Sequence, residues 1–415
     1  MEKRRVVVTG LGTVNPLAHD VANTWEAVKA GKSGVARITA FDTEDYASKV
    51  AGEVKNFDPA VWMEKKEARK LARFTQFALA GSAQAMEDAG LDKGGIDPER
   101  MGVILGNGIG GYEVTEEGIR QLALKGPRGV APMTIPKMII NEGPANVAIK
   151  YGLLGPCYAV VTACASATDA LGSAFHAVRY GQIDAAVTGG MEAAITPFGI
   201  AGFIKLTALS TKYNDTPEKA SRPFDRDRDG FIMGEGAGIL ILEELTHALD
   251  RDAKIYGEVA GYGMSCDAYH LTSPDVEGNG PARSMKWALQ DAGMEPSEID
   301  YFNAHGTSTP TNDPLETMAI KKAFGDHAYK MPISSTKSMT AHMVGGAGGM
   351  EAIISLLALR DGFIPPTINL DNPDERCDLD YVPHVGRKAD LRAVMSDNLG
   401  FGGHNGSLVF KKFEE

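Results

Sequence analysis

Cysteine is scarce in this chain, with four residues in 415, and no two of them form a Cys-x-x-Cys pair. The pattern therefore suggests neither a disulfide framework nor a zinc site. A reducing cytoplasm is the simplest setting for such a chain, because stable disulfides are rare there. Each cysteine has to be judged by its own surroundings, at positions Cys157, Cys164, Cys266 and Cys377.

Long apolar runs are also missing. No segment reaches the roughly 18 uninterrupted apolar residues of a membrane span. The first apolar run, residues 6–8, is too short for the hydrophobic part of a secretion signal. Positive charge is in deficit, since 42 Lys and Arg face 54 Asp and Glu and the net charge is −12. This balance argues against nucleic acid as a general partner, so an acidic partner has to find a local basic patch.

The chain has length and a regular alternation of elements instead. It is too long for one ordinary core. Short apolar strands alternate with helical stretches at 67–90 and 165–180, which predicts an α/β architecture around a buried sheet. The strands predicted in the first part are 6–9, ended by Gly10, and then 101–106, 159–162, 185–189 and 237–243.

The second part of the sequence repeats this plan. Segments 255–263, 300–305 and 332–335 match 6–12, 102–106 and 159–162, and the helix at 350–359 matches the one that ends at Gly181. In this register Cys164 corresponds to Gly345. We therefore predict a duplicated α/β unit with halves at residues 1–250 and 251–415. The site is expected where the halves join.

The first chemical motif surrounds Cys164, in Val-Val-Thr-Ala-Cys-Ala-Ser-Ala, where a predicted strand turns into a helix. The positive end of the helix dipole lowers the pKa of a thiol placed there. The N–H groups of the same turn point at any oxyanion formed on an acyl group. The motif predicts an acyl-accepting nucleophile. The alternative is a buried structural cysteine.

Two histidines follow strand ends in the second part. His305 lies in Asn-Ala-His-Gly-Thr-Ser-Thr-Pro, at an edge where α/β proteins bind ligands. The alternative is a loop histidine beside a turn. His342 follows Lys337 by five residues, and a fixed positive charge favours a neutral imidazole that donates a hydrogen bond. Glu351 on the next helix can hold Lys337. Here the alternative is an exposed lysine and a capping histidine.

The last motif is a glycine-rich segment that contains one aromatic residue. Residues 398–406 read Asn-Leu-Gly-Phe-Gly-Gly-His-Asn-Gly. Glycines on both sides of Phe401 allow the backbone to change, so the segment predicts a movable gate or a backbone donor. The alternative is a plain β-turn.

Taken together, these motifs resemble one family. In chain order, Cys, His, Lys and His each stand at a strand end, and the sequence is similar over essentially its whole length to the elongating β-ketoacyl-acyl-carrier-protein synthases, types I and II, and most to type II. The segments that carry the resemblance are 8–12, 162–164, 221–225, 229–231, 267–270, 303–310, 334–351, 365–370 and 400–403.

The resemblance implies a thiolase-like fold with duplicated βαβαβ halves in a layered α/β/α/β/α core. It implies a homodimer and chemistry without a metal or an organic cofactor. Acyl carrier protein would deliver an acyl group to Cys164, and His305 and His342 would bind the malonyl thioester carbonyl and stabilise the enolate left when CO₂ departs. The N–H groups of Cys164 and Phe401 would form the oxyanion hole. Supporting roles fall to Lys337, Glu351, Asp313 and Glu316.

The same resemblance implies a substrate pocket and a docking surface. The residues expected to bind substrate are Ile109, Phe203, Thr272, Thr307, Thr309, Leu399 and Gly402. The residues expected to receive the acidic carrier protein are Lys65, Lys66, Arg69 and Lys70 at the start of a helix, joined by Arg128 and Lys205.

The sequence departs from the family pattern at three positions. Ala341 replaces a frequent Gly, Leu399 a frequent Phe and His404 a frequent Thr. No catalytic group is lost, so the family activity is expected in fatty acid biosynthesis, with medium to long acyl chains accepted.

Other readings share parts of the pattern. A ketosynthase subunit of a type II polyketide synthase would keep all four motifs, and a non-enzymatic chain-length partner subunit usually lacks the nucleophilic Cys. Cys164 therefore opposes the partner subunit. A thiolase lacks the pairing of Lys337 with His342, and the second His opposes an initiating type III synthase, which has a Cys-His-Asn set.

Overall fold

The computed structural model describes residues 3–414. Thirteen α-helices are found in this range: α1 Val21–Lys29, α2 Lys65–Ala68, α3 Arg73–Ala89, α4 Tyr112–Lys125, α5 Thr134–Met138, α6 Glu142–Tyr151, α7 Ser166–Arg179, α8 Pro197–Lys205, α9 Leu245–Asp250, α10 Asn279–Ala292, α11 Asn312–Phe324, α12 Lys337–Thr340 and α13 Ala347–Asp361. Short 3₁₀ turns are found at Pro59–Val61, Pro98–Arg100, Pro127–Gly129, Ala163–Ala165, Pro217–Lys219, Pro296–Glu298, Gly325–Tyr329 and Val344–Gly346.

The same range contains fourteen strands: β1 Val6–Val14, β2 Ala36–Arg37, β3 Val50–Ala51, β4 Met101–Gly106, β5 Cys157–Val160, β6 Ala185–Glu192, β7 Gly236–Glu244, β8 Gly257–Cys266, β9 Tyr301–Asn303, β10 Ile333–Ser334, β11 Phe363–Ile364, β12 Arg387–Lys388, β13 Ala393–Gly400 and β14 His404–Lys411. Ten of them form one sheet, in the order β10-β9-β13-β14-β8-β1-β7-β6-β4-β5. Strands β2 with β3 and β11 with β12 form two small antiparallel pairs.

The strand order shows an internal repeat. From the centre outward, one side of the sheet runs β1-β7-β6-β4-β5 and the other β8-β14-β13-β9-β10. When the five strands of each side are numbered by their order along the chain, both sides show the same spatial order from the centre outward: first, fifth, fourth, second and third. The two sides meet where β1 pairs antiparallel with β8, from Val6 with Val259 to Val8 with Gly257. This symmetry agrees with the predicted duplication. Each half contains the predicted βαβαβ unit together with a third helix and two more strands.

Helices pack in three layers around the two sides of the sheet. Helix α13 contacts β6 and β7 on one side and β13 on the other, while α7 contacts β4, β6 and β14. All residues from Ala347 to Leu359 are buried, as expected for a helix that is apolar on nearly every face. Helices α3 and α6 cover the outer face of the first side, and α10 packs on β8 and β14 of the second, with α11 against it. The layered α/β fold is therefore confirmed.

Several predicted boundaries are wrong. The strand predicted at 159–162 is Cys157–Val160 and the one predicted at 255–263 is Gly257–Cys266, while two larger differences have clear physical reasons. Strand β1 does not stop at Gly10 but continues to Val14, because glycine there allows α3 to approach: a Cβ at Gly10 would lie 2.1 Å from the Ala85 carbonyl oxygen. The helix predicted at 67–90 is divided into α2 and α3. The break follows from contacts of Arg73, whose backbone N–H donates to Glu113 (2.8 Å) and whose side chain pairs with Glu235 (2.6 Å).

No helix in residues 3–414 combines the length and the apolar character that a membrane crossing requires.

Candidate active site

Cys164 lies in the 3₁₀ turn Ala163–Ala165, between β5 and the first residue of α7. Ala163 holds a left-handed backbone with φ of 52°, which is unusual for a residue other than glycine. The second half repeats the feature, because Val344 has φ of 42° in the turn just before α13. Cys164 and Gly345 therefore occupy matching places in the two halves.

Three side chains converge at this turn. Nε2 of His342 lies 3.1 Å from Sγ of Cys164. The rings of His305 and His342 are nearly perpendicular, with centroids 5.2 Å apart. Both histidines are buried, while Cys164 is half-buried. A thiol and two imidazoles thus face one small space.

A buried ion pair stands behind the histidines. Lys337 and Glu351 are bonded to each other, and their side chains are only 1% and 3% exposed. Glu351 also accepts a hydrogen bond from Nδ2 of Asn398 at 2.7 Å. The same Asn398 nitrogen lies 3.2 Å from Nδ1 of His305, and its side-chain oxygen is bonded to Thr168. This network orients the ring of His305 and leaves its Nε2 facing the site.

The electrostatics of the site keep both imidazoles neutral. Burial lowers the pKa of His305 and His342 well below the usual value, and the positive charge of Lys337 lowers each pKa further. A neutral imidazole can donate a hydrogen bond to an oxygen without acting as a strong acid. This is the protonation state that the spacing of Lys337 and His342 predicted.

The prediction of a lowered pKa for Cys164 is wrong. Burial raises the pKa of this thiol to about 12, although Lys337 and the backbone N–H of Phe401 act in the opposite direction. The main cause is desolvation, because a thiolate that is shielded from water loses its hydration energy and the charged form is disfavoured. The resting group is therefore a thiol, and Nε2 of His342 is the nearest group able to accept its proton.

Buried carboxylates fix the backbone that carries His305. Its N–H donates to Glu316 at 2.7 Å and to Asp397 at 3.0 Å. Asp313 accepts from the backbone N–H groups of Phe224 (2.8 Å) and Ser308 (3.2 Å), and so ties the loop after His305 to the segment around residue 224. These acids position the loop and do not face the thiol.

A cavity of about 610 Å³ opens from Cys164 and both histidines. Six of the seven residues predicted to bind substrate line it: Ile109, Phe203, Thr272, Thr307, Thr309 and Leu399. Gly402 does not line it, because its N–H turns away to the carbonyl of Leu271 at 2.7 Å. Phe401 lines the cavity at the tip of the β13–β14 hairpin, with its ring centroid 6.3 Å from that of Phe203.

The basic residues predicted for docking lie at the surface. All six are exposed, and none pairs with a carboxylate in residues 3–414. Lys65 and Lys66 lie in α2, and Arg69 and Lys70 follow it directly. Arg128 lies in the turn after α4, and Lys205 ends α8 next to Leu206, which lines the cavity.

The cluster could also be read as a metal site, because Sγ of Cys164 and one ring nitrogen of each histidine lie within 4.8 Å of one another. Thiolate and imidazole are ligands that zinc prefers. The buried ammonium of Lys337, however, repels positive charge at this point, as its effect on both histidines shows. The set suits an oxygen that gains negative charge better than it suits a cation.

Two features of the site were missed from sequence. Asn398, which links Glu351 to His305, has no recognisable motif beyond its place before the glycine-rich segment. The backbone of Ala341 was noted only as a departure, yet its φ of 59° and ψ of −177° lie in a region that is nearly confined to glycine. The Ala therefore stands where the family's Gly would be unstrained.

Comparison with known proteins shows what this site is part of. Residues 3–248 match the family described as Beta-ketoacyl synthase, N-terminal domain, and residues 256–371 match Beta-ketoacyl synthase, C-terminal domain. The chain belongs to the β-ketoacyl synthase family. The resemblance inferred from the motifs is thereby confirmed.

Individual relatives extend over the full length. The chain is 52% identical to 3-oxoacyl-(acyl-carrier-protein) synthase 2 of Coxiella burnetii, over 99% of each chain. It is 50% identical to the protein of the same name from Synechocystis, over 100% of this chain and 99% of that one. Among solved structures it is similar to one chain of a structure described as a type II polyketide synthase acyl-carrier protein in complex with its ketosynthase, with a TM-score of 0.93, 35% identity and complete coverage of both chains. The thiolase-like ketosynthase fold is thus confirmed.

Proposed function

We propose that this chain is the condensing enzyme of fatty acid elongation, a type II 3-oxoacyl-acyl-carrier-protein synthase. The observation that carries the proposal is the contact of Cys164 with Nε2 of His342 at 3.1 Å, beside a second neutral imidazole at the base of the cavity. The reaction joins an enzyme-bound acyl group to malonyl-acyl-carrier protein and gives 3-oxoacyl-acyl-carrier protein and CO₂.

The first step is transfer of the acyl group. Sγ of Cys164 attacks the thioester carbonyl as Nε2 of His342 accepts its proton. The imidazolium then returns this proton to the carrier sulfur as the carbon–sulfur bond breaks, and the carrier leaves as a thiol. The backbone N–H groups of Cys164 and Phe401 bind the oxyanion of the tetrahedral intermediate. The close approach of the two segments supports this role, because a Cβ at Gly400 would lie 3.1 Å from the backbone nitrogen of Cys164.

The second step uses the histidines. The thioester oxygen of malonyl-acyl-carrier protein lies between Nε2 of His305 and Nε2 of His342. The neutral ring of His342 has by then exchanged its proton from Nδ1 to Nε2, so both Nε2 groups donate to this oxygen as the carbon–carboxylate bond breaks and CO₂ leaves. The enolate carbon then attacks the carbonyl carbon bound to Cys164, and the thiolate departs. Because both imidazoles are neutral, they hold the enolate without protonating its carbon. Every step uses groups of this chain and the two thioesters, so the proposal includes no metal and no organic cofactor.

We assign the docking of the carrier protein to Lys65, Lys66, Arg69, Lys70, Arg128 and Lys205. Four of these exposed cations lie together at positions 65–70, and none of the six has a carboxylate partner among residues 3–414, on a chain of net charge −12. The solved relative described as a ketosynthase with its acyl-carrier protein supports the same kind of partner. Reversing the charge of Lys66 and Arg69 should raise KM for acyl-carrier protein and leave a small thioester surrogate unaffected. Equal losses with both substrates would contradict the assignment.

The proposal includes a homodimer. Exposed apolar side chains cluster on α4, α5 and the residues next to β5, namely Ile119, Leu122, Leu124, Met133, Ile135, Ile139, Tyr158 and Val161. Strand β5 is an edge of the sheet, so its free backbone groups can pair with another strand. A second copy placed there would cover both features. We also propose a cytoplasmic location, and division of the chain into halves at 1–250 and 251–415.

An elongation assay tests the function. The chain is supplied with malonyl-acyl-carrier protein and a series of saturated acyl-carrier proteins of graded length, and products are identified by mass spectrometry. We expect one two-carbon extension of each accepted acyl chain. Repeated extension of a short starter into a poly-ketone by the chain with a second subunit, and no extension of saturated chains, would instead indicate a polyketide ketosynthase.

A further inference from the structure

Glu192 is a buried carboxylate close to the active site that the proposed reaction does not use. It ends β6 and is completely shielded from solvent. Its Oε2 accepts hydrogen bonds from the backbone N–H groups of Gly108 (2.9 Å) and Gly345 (3.1 Å). Oε1 has no hydrogen-bond partner in residues 3–414. A buried charge is costly unless it is well paired, so its presence requires a reason.

The internal repeat shows which backbone group in the first half corresponds to the one that Glu192 binds in the second half. Gly345 occupies in the second half the place that Cys164 occupies in the first, in the turn just before a central helix. In the first half the backbone N–H of Cys164 is available to an oxygen of the substrate. In the second half the matching N–H is occupied by the carboxylate of Glu192. The side chain thus fills what would otherwise be a second anion-binding turn.

Glu192 joins two segments that shape the cavity. Gly108 and Ile109 form one part of the cavity wall, and Val344 forms another. The segments are in close contact, since a Cβ at Gly345 would lie 2.1 Å from the backbone nitrogen of Gly108. Val344 follows His342 by two residues. One carboxylate oxygen therefore fixes the wall that meets the acyl chain to the turn that follows a catalytic histidine.

We infer that Glu192 is a positioning residue that clamps the Gly108–Ile109 wall to the turn at Val344–Gly346 and so sets the length of acyl chain that the cavity accepts. The inference rests on the proposed function for its substrate. The role is that of a hydrogen-bond acceptor and not of an activator of the thiol. Burial is the main cause of the raised Cys164 pKa, and the charge of Glu192 raises that pKa further.

Two substitutions separate an acceptor from a mere space-filler. Glu192→Gln keeps an oxygen that can accept from both N–H groups, whereas Glu192→Ala leaves both without a partner and opens a cavity. Glu243→Ala is the matched control, because Glu243 is an equally buried carboxylate on the neighbouring strand β7, where it binds Thr9, His247 and Arg251. It does not line the active-site cavity.

The experiment measures kcat/KM for acyl-carrier proteins of graded length, and thermal unfolding with and without formate. In Glu192→Ala we expect the preference among neighbouring chain lengths to change by about tenfold, which is the discrimination that one methylene can carry. Glu192→Gln should keep the profile of the unchanged protein within about twofold, a change of only about 0.4 kcal/mol. Formate should occupy the vacated site, raise the unfolding temperature of Glu192→Ala and restore its profile. Formate can also bind beside Arg251 in Glu243→Ala, but the chain-length profile of that control should not change, with or without formate.

The inference is overturned if folded Glu192→Ala keeps the original profile, if Glu192→Gln changes it as much as Ala does, or if Glu243→Ala changes the profile in the same way. The thermal measurement needs no substrate. Formate stabilisation of Glu192→Ala but not of Glu192→Gln, in which the site stays filled, would support the clamp even if no acyl chain is elongated, and in that case the proposed function would fail separately.

Discussion

The buried ion pair of Lys337 and Glu351 offers a prediction whose size can be worked out. Both side chains are almost completely shielded, at 1% and 3% exposure, so neither charge is stabilised by water. Opposite charges about 4 Å apart at an effective dielectric constant of about 20 attract by about 4 kcal/mol. Removal of one partner from such a pair costs about 3–5 kcal/mol, because the other charge is left buried and unpaired. This is a large part of the roughly 5–15 kcal/mol that stabilises a folded domain.

We therefore expect Lys337→Met to lower the free energy of unfolding by about 3–5 kcal/mol. The double variant Lys337→Met/Glu351→Gln should lose much less, since neither charge remains and the Gln oxygen can still accept from Asn398. The coupling energy between the two positions should then be at least about 2 kcal/mol. Urea unfolding followed by the fluorescence of the three tryptophans measures the unchanged protein, the single variants Lys337→Met and Glu351→Gln, and the double variant.

The same variants separate stability from catalysis. The charge of Lys337 lowers the pKa of His305 and His342 after burial, so both pKa values rise when it is removed. As the pH falls, imidazolium then forms at a higher pH than in the unchanged protein and protonates the enolate. The acid limb of the elongation rate should move to higher pH in the single and the double variant alike. Additive losses of stability, or an acid limb that stays in place in both variants, would refute the reasoning.

Three further predictions follow from the site. Alanine at His305 or His342 should reduce the rate of CO₂ release from malonyl-acyl-carrier protein by about 10²–10³-fold, as the loss of one oxyanion donor does. Acyl transfer to the enzyme should persist at a lower rate. Slow acylation with normal CO₂ release would contradict this prediction. Ile109→Phe should shorten the longest product measured by mass spectrometry, and an unchanged distribution from a folded, active variant would oppose the placement of that wall. Gly52→Ala should lower the free energy of unfolding by about 1–3 kcal/mol through overpacking, since its Cβ would lie 2.8 Å from the Ala341 Cβ. In a double-mutant cycle, Ala341→Gly should restore part of that stability, and strictly additive effects would show that the contact is not tight.

Much of the architecture could be predicted from sequence, because it depends on local patterns. The strands at 101–106 and 185–189 and the helix near 166–179 follow from apolar runs, helical spacing and glycine stops. The order of elements in the two halves revealed the duplication. The start of α3 could not be predicted in this way, since it depends on contacts of Arg73 with Glu113 and Glu235, which are distant in the sequence.

For the site as well, the sequence predicted the features that local motifs carry and not those that depend on contacts between distant residues. Motifs identified the residues that converge in the cavity, because Cys164, His305 and Phe401 each follow closely on the end of a strand. The raised pKa of Cys164 could not be predicted, since the helix N-terminus was visible in the sequence and the depth of burial was not. Asn398 and Glu192 escaped notice for a related reason. A single polar residue at the end of a strand carries no signal until the fold shows which N–H groups and rings it meets.

The most direct test of the account follows the acyl group on the protein. The chain is first incubated with one acyl-carrier protein and analysed by intact-protein and peptide mass spectrometry, and malonyl-acyl-carrier protein is then added. We predict one acyl group on the peptide that carries Cys164, and its loss in step with CO₂ release and the appearance of a 3-oxoacyl-carrier protein two carbons longer. Acylation that persists in Cys164→Ala, or an acyl-enzyme that malonyl-acyl-carrier protein does not discharge, would contradict the account.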